Sequence, residues 1–302
     1  MNFEKMNRII VIIFFVVTTL IMLSCEKEIT VDLPVPETKI VIEGAIEEGR
    51  LPWVFVTKNA PYFSHIDSAA LVNMIVFNAR ITVTDGIITD SLQLTYDPYI
   101  YPKFKYAGST LIGQTGKRYW LKVEVDGKTY TAQTSIPPSV KIDSLKFKPD
   151  KNQDTLGFIW LYLVDPDTLG NYYRGFTKIL GKDSIYLRPY PSVFDDKFFN
   201  GQFCEYAIER GRNPLEDNMY DDYGLDSAGV SRFYFRKGET VVVKLCTIDV
   251  FHYDFWYSVE QQFITDGNPF ASPISARTNI SGGALGVWGG YGVYSDTLHI
   301  PK

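Results

Sequence analysis

Short stretches in which apolar and polar residues alternate recur along the chain, and they predict a protein built mainly of β-strands. Between residues 39 and 138 about seven such stretches follow one another, rich in β-branched and aromatic residues and bounded by Gly, Pro and Asp. The pairs Asp85-Gly86 and Asp126-Gly127 are typical of tight hairpin turns. This number and spacing of strands predict an immunoglobulin-like or fibronectin-like sandwich over residues 37–138.

Further stretches of the same kind predict a second β-rich domain at residues 139–302. The most regular ones lie at residues 156–164, 172–180 and 240–248. Apolar residues then recur at a spacing of three and four, which predicts a helix over about residues 250–264 with Asp249 as its N-cap. A glycine-rich tail predicts close backbone contacts and two last strands, at residues 284–288 and 294–300. The fold class is therefore mainly β, with one main helix.

The first 25 residues have a different pattern, which is typical of an export signal. Lys5 and Arg8 precede fifteen uncharged residues, 9–23, and a small residue comes just before Cys25. The uncharged run is shorter than the roughly 20 residues that a spanning helix needs, so a transmembrane anchor is the weaker interpretation. We predict a lipoprotein signal peptide at residues 1–24 and lipidation of Cys25, with palmitate among the acyl chains.

Residues 25–36 contain two prolines and lack helical spacing, and they are predicted to form an extended tether. Removal of residues 1–24 changes the net charge from −5 to −6, so acyl chains rather than a basic surface are expected to hold the protein at the membrane. The lack of a basic stripe argues against nucleic acid as a partner. Acidic residues after Cys25 resemble the surface-export signals of Bacteroidota lipoproteins. We therefore expect the cell-surface side of the outer membrane, with the periplasmic face as the alternative.

The two remaining cysteines, Cys204 and Cys246, lie 42 residues apart in strand-like sequence. In an oxidising compartment such a pair is a candidate disulfide. Two separate buried thiols are the alternative, and the spacing alone does not decide between them.

No known arrangement of catalytic residues occurs in the sequence. The histidines are His65, His252 and His299, which have no metal-ligand spacing, and the H-E-x-x-H, C-x-x-C and G-x-S-x-G motifs are absent. We assign no catalytic residue, no metal and no cofactor, and we expect a protein that is not an enzyme. An envelope hydrolase, with residues assembled from distant segments, is the least favoured alternative.

Aromatic residues make up 15% of the chain, and several lie in predicted loops, such as residues 96–106. Loops on a rigid β scaffold commonly carry binding residues, and tyrosine suits contacts with proteins and sugars. The candidate binding residues are Tyr62, Phe63, Tyr99, Tyr101, Tyr220 and Tyr223. The alternative is that these rings fold back and pack against the protein.

Eight short motifs follow one another in a distinctive order. They are Cys25-Glu26, followed by residues 41–44 (VIEG), 60–63 (APYF), 116–119 (GKRY), 127–132 (GKTYTA), 171–174 (NYYR), 199–201 (FNG) and 279–288 (NISGGALGVW). In this order they resemble the domain-of-unknown-function 4249 lipoproteins of Bacteroidota over nearly the whole mature chain. Ala284 stands where that family is expected to prefer Leu, a departure that concerns local packing.

The resemblance implies a cell-envelope lipoprotein of the kind encoded beside TonB-dependent outer-membrane receptors. It also implies an accessory role in nutrient or protein handling, and it carries over no catalytic residue. Our leading hypothesis is a lipid-anchored outer-membrane protein that acts as a non-enzymatic binding or accessory component, alongside a TonB-dependent transporter. A structural or adhesive cell-surface lipoprotein is the alternative.

Overall fold

Seven strands with alternating side chains form the first part of the fold. The computed structural model describes residues 12–14, 37–59, 72–211, 233–265 and 275–302. The seven strands are β1 (Ile40–Glu47), β2 (Trp53–Lys58), β3 (Arg80–Thr84), β4 (Thr89–Tyr96), β5 (Phe104–Ala107), β6 (Arg118–Val125) and β7 (Lys128–Ser135). Their number agrees with the sequence pattern, although β5 lies within a stretch that was expected to be a loop.

These strands enclose one apolar core, as in a sandwich. Strand β4 pairs with β3 through residues 89–92 and with β5 through residues 93–96, so it passes from one layer to the other. The core between the layers includes Val54, Val83 and Tyr119, each fully buried. Alternation of apolar and polar residues explains this burial, because successive side chains of a strand point to opposite faces.

The second part of the chain contains eight strands and the main helix of the described residues. The strands are β8 (Ser144–Asp150), β9 (Gln153–Val164), β10 (Tyr172–Ile179), β11 (Val193–Asp195), β12 (Phe203–Ile208), β13 (Phe235–Arg236), β14 (Thr240–Ile248) and β15 (Leu285–His299), and the helix is α1 (Val250–Thr265). Strands β8, β12 and β13 pair with β9 in a four-stranded sheet. The mainly β class with one main helix is therefore confirmed.

Helix α1 begins as the sequence predicts. Asp249 is its N-cap, because its Oδ1 accepts a hydrogen bond from the backbone N–H of His252 at 2.8 Å. Phe255 and Trp256 of the helix are buried against Ala45, Val287 and other apolar residues of the sheet. No helix among the described ranges has the length and apolar character to cross a membrane.

Strand β15 joins the two parts of the chain. Its residues 285–291 run parallel to β1, and its residues 292–299 run antiparallel to β14. The two strands expected near the C-terminus are therefore one continuous strand inside an eleven-stranded sheet. Its glycines permit close contacts, since a Cβ on Gly290 would lie 2.3 Å from the carbonyl oxygen of Ser135.

Residues Thr38–Lys302 form one compact unit, and Met1–Glu37 form another. In the segment Met1–Glu37 the structure describes a helical turn at residues 12–14 with exposed side chains. We call residues 37–138 the N-terminal region and residues 139–302 the C-terminal region, and all of them except residue 37 belong to the large unit. The boundary between the two regions stays a prediction. Trp288 of β15 crosses it, because it packs in the core of the N-terminal region.

Candidate functional site

Five neighbouring strands, β10, β14, β15, β1 and β2, share a face that carries charged and aromatic side chains. On β1, Ile42 and Ile46 belong to the core of the N-terminal region, so the alternation turns Glu43 and Glu47 to the opposite face. Helix α1 covers part of that face. The rest forms the floor of a cleft of about 470 Å³, which we call the cleft and which has a volume usual for small-molecule sites.

The lining of the cleft combines cations with aromatic rings. Its six cationic side chains are those of Arg50, Lys105, Arg174, Lys178, Arg188 and Lys244. Its three carboxylates are Glu43, Glu47 and Asp97, and its six aromatic side chains are Trp53, Phe55, Tyr101, Phe176, Tyr186 and Tyr291. The cleft is therefore positively charged, in a chain whose formal net charge is −5.

The rim that carries Arg188 is fixed to the sheet and to the helix. The backbone N–H of Leu187 donates to the carbonyl of Thr177 at 2.8 Å, and the reverse hydrogen bond measures 2.9 Å. A few residues further on, the backbone N–H of Ser192 donates to the buried carboxylate of Glu260 on α1 at 2.9 Å. These bonds hold the wall of the cleft in place from both sides.

Lys244 is a buried cation of the floor that has a carboxylate partner. Its Nζ lies 2.9 Å from Glu47 Oε1, and both residues are buried. The same Nζ lies 4.8 Å from the ring centre of Phe176 and 4.9 Å from that of Tyr186. Because Lys244 belongs to β14 and Glu47 to β1, this ion pair connects the two regions of the chain.

Arg174 is a second buried cation of the floor, and it has a different environment. Only 3% of its surface is exposed. Its Nη1 donates to the hydroxyl of Tyr291 at 2.6 Å, and its guanidinium lies 3.6 Å from the ring centre of Trp256. Its Nε has no hydrogen-bond partner. Among the described residues no carboxylate lies within ion-pair distance of Arg174.

His252 contacts both residues that hold Arg174, namely Tyr291 and Trp256. Its Nε2 accepts a hydrogen bond from Trp256 Nε1 at 3.0 Å, so the proton of the neutral ring is on Nδ1. Tyr291 then donates its hydroxyl proton to the same Nε2 at 2.8 Å. Burial, and next the charge of Arg174, hold the pKa of His252 well below its ordinary value. The neutral His252 therefore orients Tyr291, and Tyr291 orients Arg174.

A buried charge without a counter-ion is costly, by several kcal/mol in typical proteins. The contact of Arg174 with Trp256 offsets part of that cost, since a desolvated cation–π contact contributes about 2 kcal/mol. His252 is only 1% exposed, and its Nε2 already accepts hydrogen bonds from Tyr291 and Trp256.

Of the six binding residues predicted from the sequence, the structure describes Tyr99 and Tyr101. Tyr101 lines the cleft, beside the loop that the Lys105–Asp97 ion pair fastens at 3.1 Å. Tyr99 is 58% exposed and is not part of the lining. The other candidates, and the proposed lipidation site, lie outside the described residues: Cys25, Tyr62, Phe63, Tyr220 and Tyr223.

The disulfide between Cys204 and Cys246 is not formed, and the alternative of two buried thiols is correct. Cys246 packs with the helix on one face of the large sheet, whereas Cys204 packs with Leu245 on the other face. The sheet itself therefore separates the two sulfur atoms. Burial raises the pKa of Cys204 to about 11 and that of Cys246 to about 12.

The floor residues Arg174, Lys244 and Glu47 were not recognised as site residues from the sequence. Lys244 stands alone among apolar residues in the strand TVVVKLCTI, and Arg174 has a similar position in YYRGFTKI. A single cation in an apolar strand is a signal for a buried charge, because such residues are seldom buried without a special environment. Glu47 carries no such signal, since its partner lies 197 residues away.

The two described histidines, His252 and His299, are not part of a metal site. His252 is buried below the cleft, His299 bonds with Thr240 near the chain end, and His65 lies outside the described residues. In the part of the chain that the structure describes, no three His, Cys, Asp or Glu side chains are grouped so that they could bind a metal ion.

Comparison with known proteins places these residues in a family. The profile described as domain of unknown function (DUF4249) matches residues 26–297, a span that includes every residue lining the cleft. The chain belongs to the DUF4249 family. This match confirms the family suggested by the order of the short motifs. No curated protein matches the DUF4249 chain.

Proposed function

We propose that this protein is a non-enzymatic binding component of the outer membrane, held there by lipid on Cys25 and acting alongside a TonB-dependent transporter. The cleft supports the binding role, because it combines cations and aromatic rings on a rigid sheet and has the volume of a small-molecule site. The basic, apolar and small residues before Cys25 support the lipid anchor. The order of the family motifs supports the transporter partnership.

The anchor is tested by fractionating cells that produce the full chain or its Cys25→Ser variant. We expect the unmodified chain in the membrane fraction, with acyl chains on a mature N-terminal cysteine detected by mass spectrometry. The C25S variant is expected in the soluble fraction. Cys204→Ser is the matched control and should stay with the membrane, because its thiol is buried. A C25S chain that remains in the membrane fraction would contradict the anchor.

The partnership is tested by purifying the lipidated chain from outer membranes in mild detergent. A TonB-dependent receptor should co-purify and be identified by mass spectrometry. The control is an unrelated outer-membrane lipoprotein purified in the same way. Equal amounts of receptor in both samples would remove the transporter from the proposal. A strain that lacks the gene tests the adhesive alternative, which would be favoured if cells lost surface contacts while uptake stayed normal.

A further inference from the structure

We infer that the cleft binds a small organic carboxylate, whose charged group is held by Arg174 and Arg188 and whose body packs on the aromatic side chains of the wall. The inference deepens the proposed binding role and rests on it. Three observations carry it: the excess of cations in the cleft, the state of Arg174, and the ring-rich lining.

The excess of cations remains after the ion pairs within the cleft are accounted for. Lys244 is neutralised by Glu47 at 2.9 Å, and Lys105 is neutralised by Asp97 at 3.1 Å. Arg50 also contacts Glu47, at 3.6 Å, so Glu43 is the one remaining carboxylate of the lining to balance Arg174, Lys178 and Arg188. A positive cleft with low-dielectric walls concentrates anions, even on a protein with negative net charge.

Arg174 is held ready for a ligand that brings negative charge. Its guanidinium is fixed by Tyr291 and Trp256, while its Nε has no partner and no described carboxylate is paired with it. Arg188 lies over the same Trp256 ring, with 4.8 Å between the guanidinium carbon and the ring centre, and it is exposed to solvent. A planar guanidinium pairs with both oxygens of a carboxylate, which makes arginine suited to recognising this group.

The remaining lining suggests the body of the ligand. Trp53, Phe55, Tyr101 and Tyr186 present rings to a space of about 470 Å³. Rings of this kind stack on flat or ring-shaped groups and exclude water around them. Two sources supply a carboxylate next to such a body, namely a short peptide with a free C-terminus and an acidic sugar.

Titration calorimetry on the full lipidated chain in detergent distinguishes these sources. The probes are phenylalanine-containing tripeptides with a free C-terminal carboxylate, their C-terminal amides, trimers of galacturonic acid, and neutral trimers of galactose. At least one acid should bind, and its neutral counterpart should bind about tenfold or more weakly, since a charge-assisted hydrogen bond is lost. The affinity for the acid should also fall as salt is raised.

Three variants locate the carboxylate. Arg188→Gln should weaken binding of the acid about tenfold, and it should fold because Arg188 is exposed. Arg118→Gln, an exposed arginine of β6 away from the cleft, is the control and should leave the affinity unchanged. Glu43→Gln should strengthen binding several-fold, because it removes a like charge from the cleft.

The inference and the proposed function fail in different ways. Equal affinity for an acid and its neutral counterpart would overturn the carboxylate, while binding itself would still support the proposed role. Binding of no acid at millimolar concentration would also overturn the inference, and a co-purified receptor would then still support an accessory role. If the R188Q variant bound the acid with the affinity of the unmodified chain, the carboxylate would not be held by Arg188 and the inferred position of the charged group would be wrong.

Discussion

The two regions of the chain bury very different side chains. Among the described residues, the buried polar ones of the N-terminal region are Glu47, Asp90 and Thr134, whereas the C-terminal region buries twelve, including Arg174, Lys244 and His252. The first region is thus an apolar sandwich, and the second carries charges inside its packing. Since buried polar groups cost free energy unless they are paired, the stability of the second region depends more on the partners of its buried polar side chains.

A pair of buried charges shows the same contrast in detail. Asp90 of the N-terminal region accepts hydrogen bonds from the backbone N–H groups of Ser109, Thr110 and Leu111 at 2.8 to 3.0 Å. Arg174 of the C-terminal region places its Nη1 2.6 Å from the hydroxyl of Tyr291 and 3.5 Å from His252 Nε2, and its Nε has no partner. A charge that the backbone satisfies completely has a structural role, whereas the charge of Arg174 is the one that we infer to receive a carboxylate.

The largest expected effect concerns the apolar side of the comparison. Trp288→Ala should lower the free energy of unfolding by about 3 to 5 kcal/mol, because a fully buried indole leaves a cavity in the core of the N-terminal region. Urea denaturation followed by far-UV circular dichroism measures the change. Trp120→Ala is the control, since Trp120 is 40% exposed and should cost about 1 kcal/mol or less. Equal losses in both variants would contradict the assignment of this core.

The second expected effect concerns the ion pair between the regions. Lys244→Met should lower the free energy of unfolding by about 2 to 3 kcal/mol, because it leaves the carboxylate of Glu47 buried with only the mostly exposed Arg50 nearby, at 3.6 Å. Urea denaturation again measures the change. The double variant Lys244→Met with Glu47→Gln should recover most of the loss. A double variant as unstable as the sum of its single variants would show that the two side chains are not coupled.

The third effect depends on pH. Burial alone raises the pKa of Asp90, but the backbone N–H groups outweigh it and the pKa is lowered. Its ionised form therefore stabilises the fold above pH ~4, the ordinary range of Asp, and this contribution is lost as the pH falls through the lowered pKa. Asp90→Asn should cost about 1 to 2 kcal/mol at pH 7 and less at pH 3. The measurement is urea denaturation across this pH range.

Asp249 of the C-terminal region supplies the opposite case. Burial raises its pKa despite hydrogen bonds from Thr134 and from backbone N–H groups. The folded state then binds more protons than the unfolded one above pH ~4, so the contribution of Asp249 to stability falls as the pH rises. Asp249→Asn should therefore respond to pH in the sense opposite to Asp90→Asn. If the stability changes caused by Asp90→Asn and Asp249→Asn varied with pH in the same direction, the predicted difference between the two carboxylates would be wrong.

The smallest change in stability is expected at Arg174. Arg174→Met should alter the free energy of unfolding by about 1 kcal/mol or less, and in the stabilising direction, because it removes a buried charge that has no carboxylate partner. Thermal unfolding measures the change. Lys244→Met, the other buried cation of the cleft, is the matched comparison. A loss at Arg174 as large as that at Lys244 would show that Arg174 is already paired within the protein.

The elements of the fold were largely predictable because their patterns are local. Strand β14 has the bounds that the alternation indicates, and α1 ends one residue beyond its expected bound. Asp249 was recognised as the N-cap because capping depends on neighbours in sequence. Strand β11 is only three residues long, too short for the alternation to show, and it was not predicted.

The cleft was not predictable in the same way, because it depends on contacts between distant residues. Glu47 and Lys244 meet only because β15 lies between β1 and β14 in the sheet. Nothing in the alternation of β15 indicates that it pairs in parallel with the first strand. Tyr101 was chosen as a candidate because it lies in an aromatic loop, but its neighbours in the cleft come from six other segments of the chain.

The parallel pairing of β1 with β15 has a consequence for the order in which the protein is made. Residues 41–47 can complete their parallel pairing only after residues 285–291 have been synthesised. The core of the N-terminal region likewise needs Trp288. A ribosome delivers residues 285–291 long after residues 41–47, so β1 leaves it without one of the two neighbours that it has in the sheet. Contacts so distant in sequence form slowly and leave apolar surface open in the meantime. A chain truncated before Trp288 would therefore leave the core of the N-terminal region exposed to solvent.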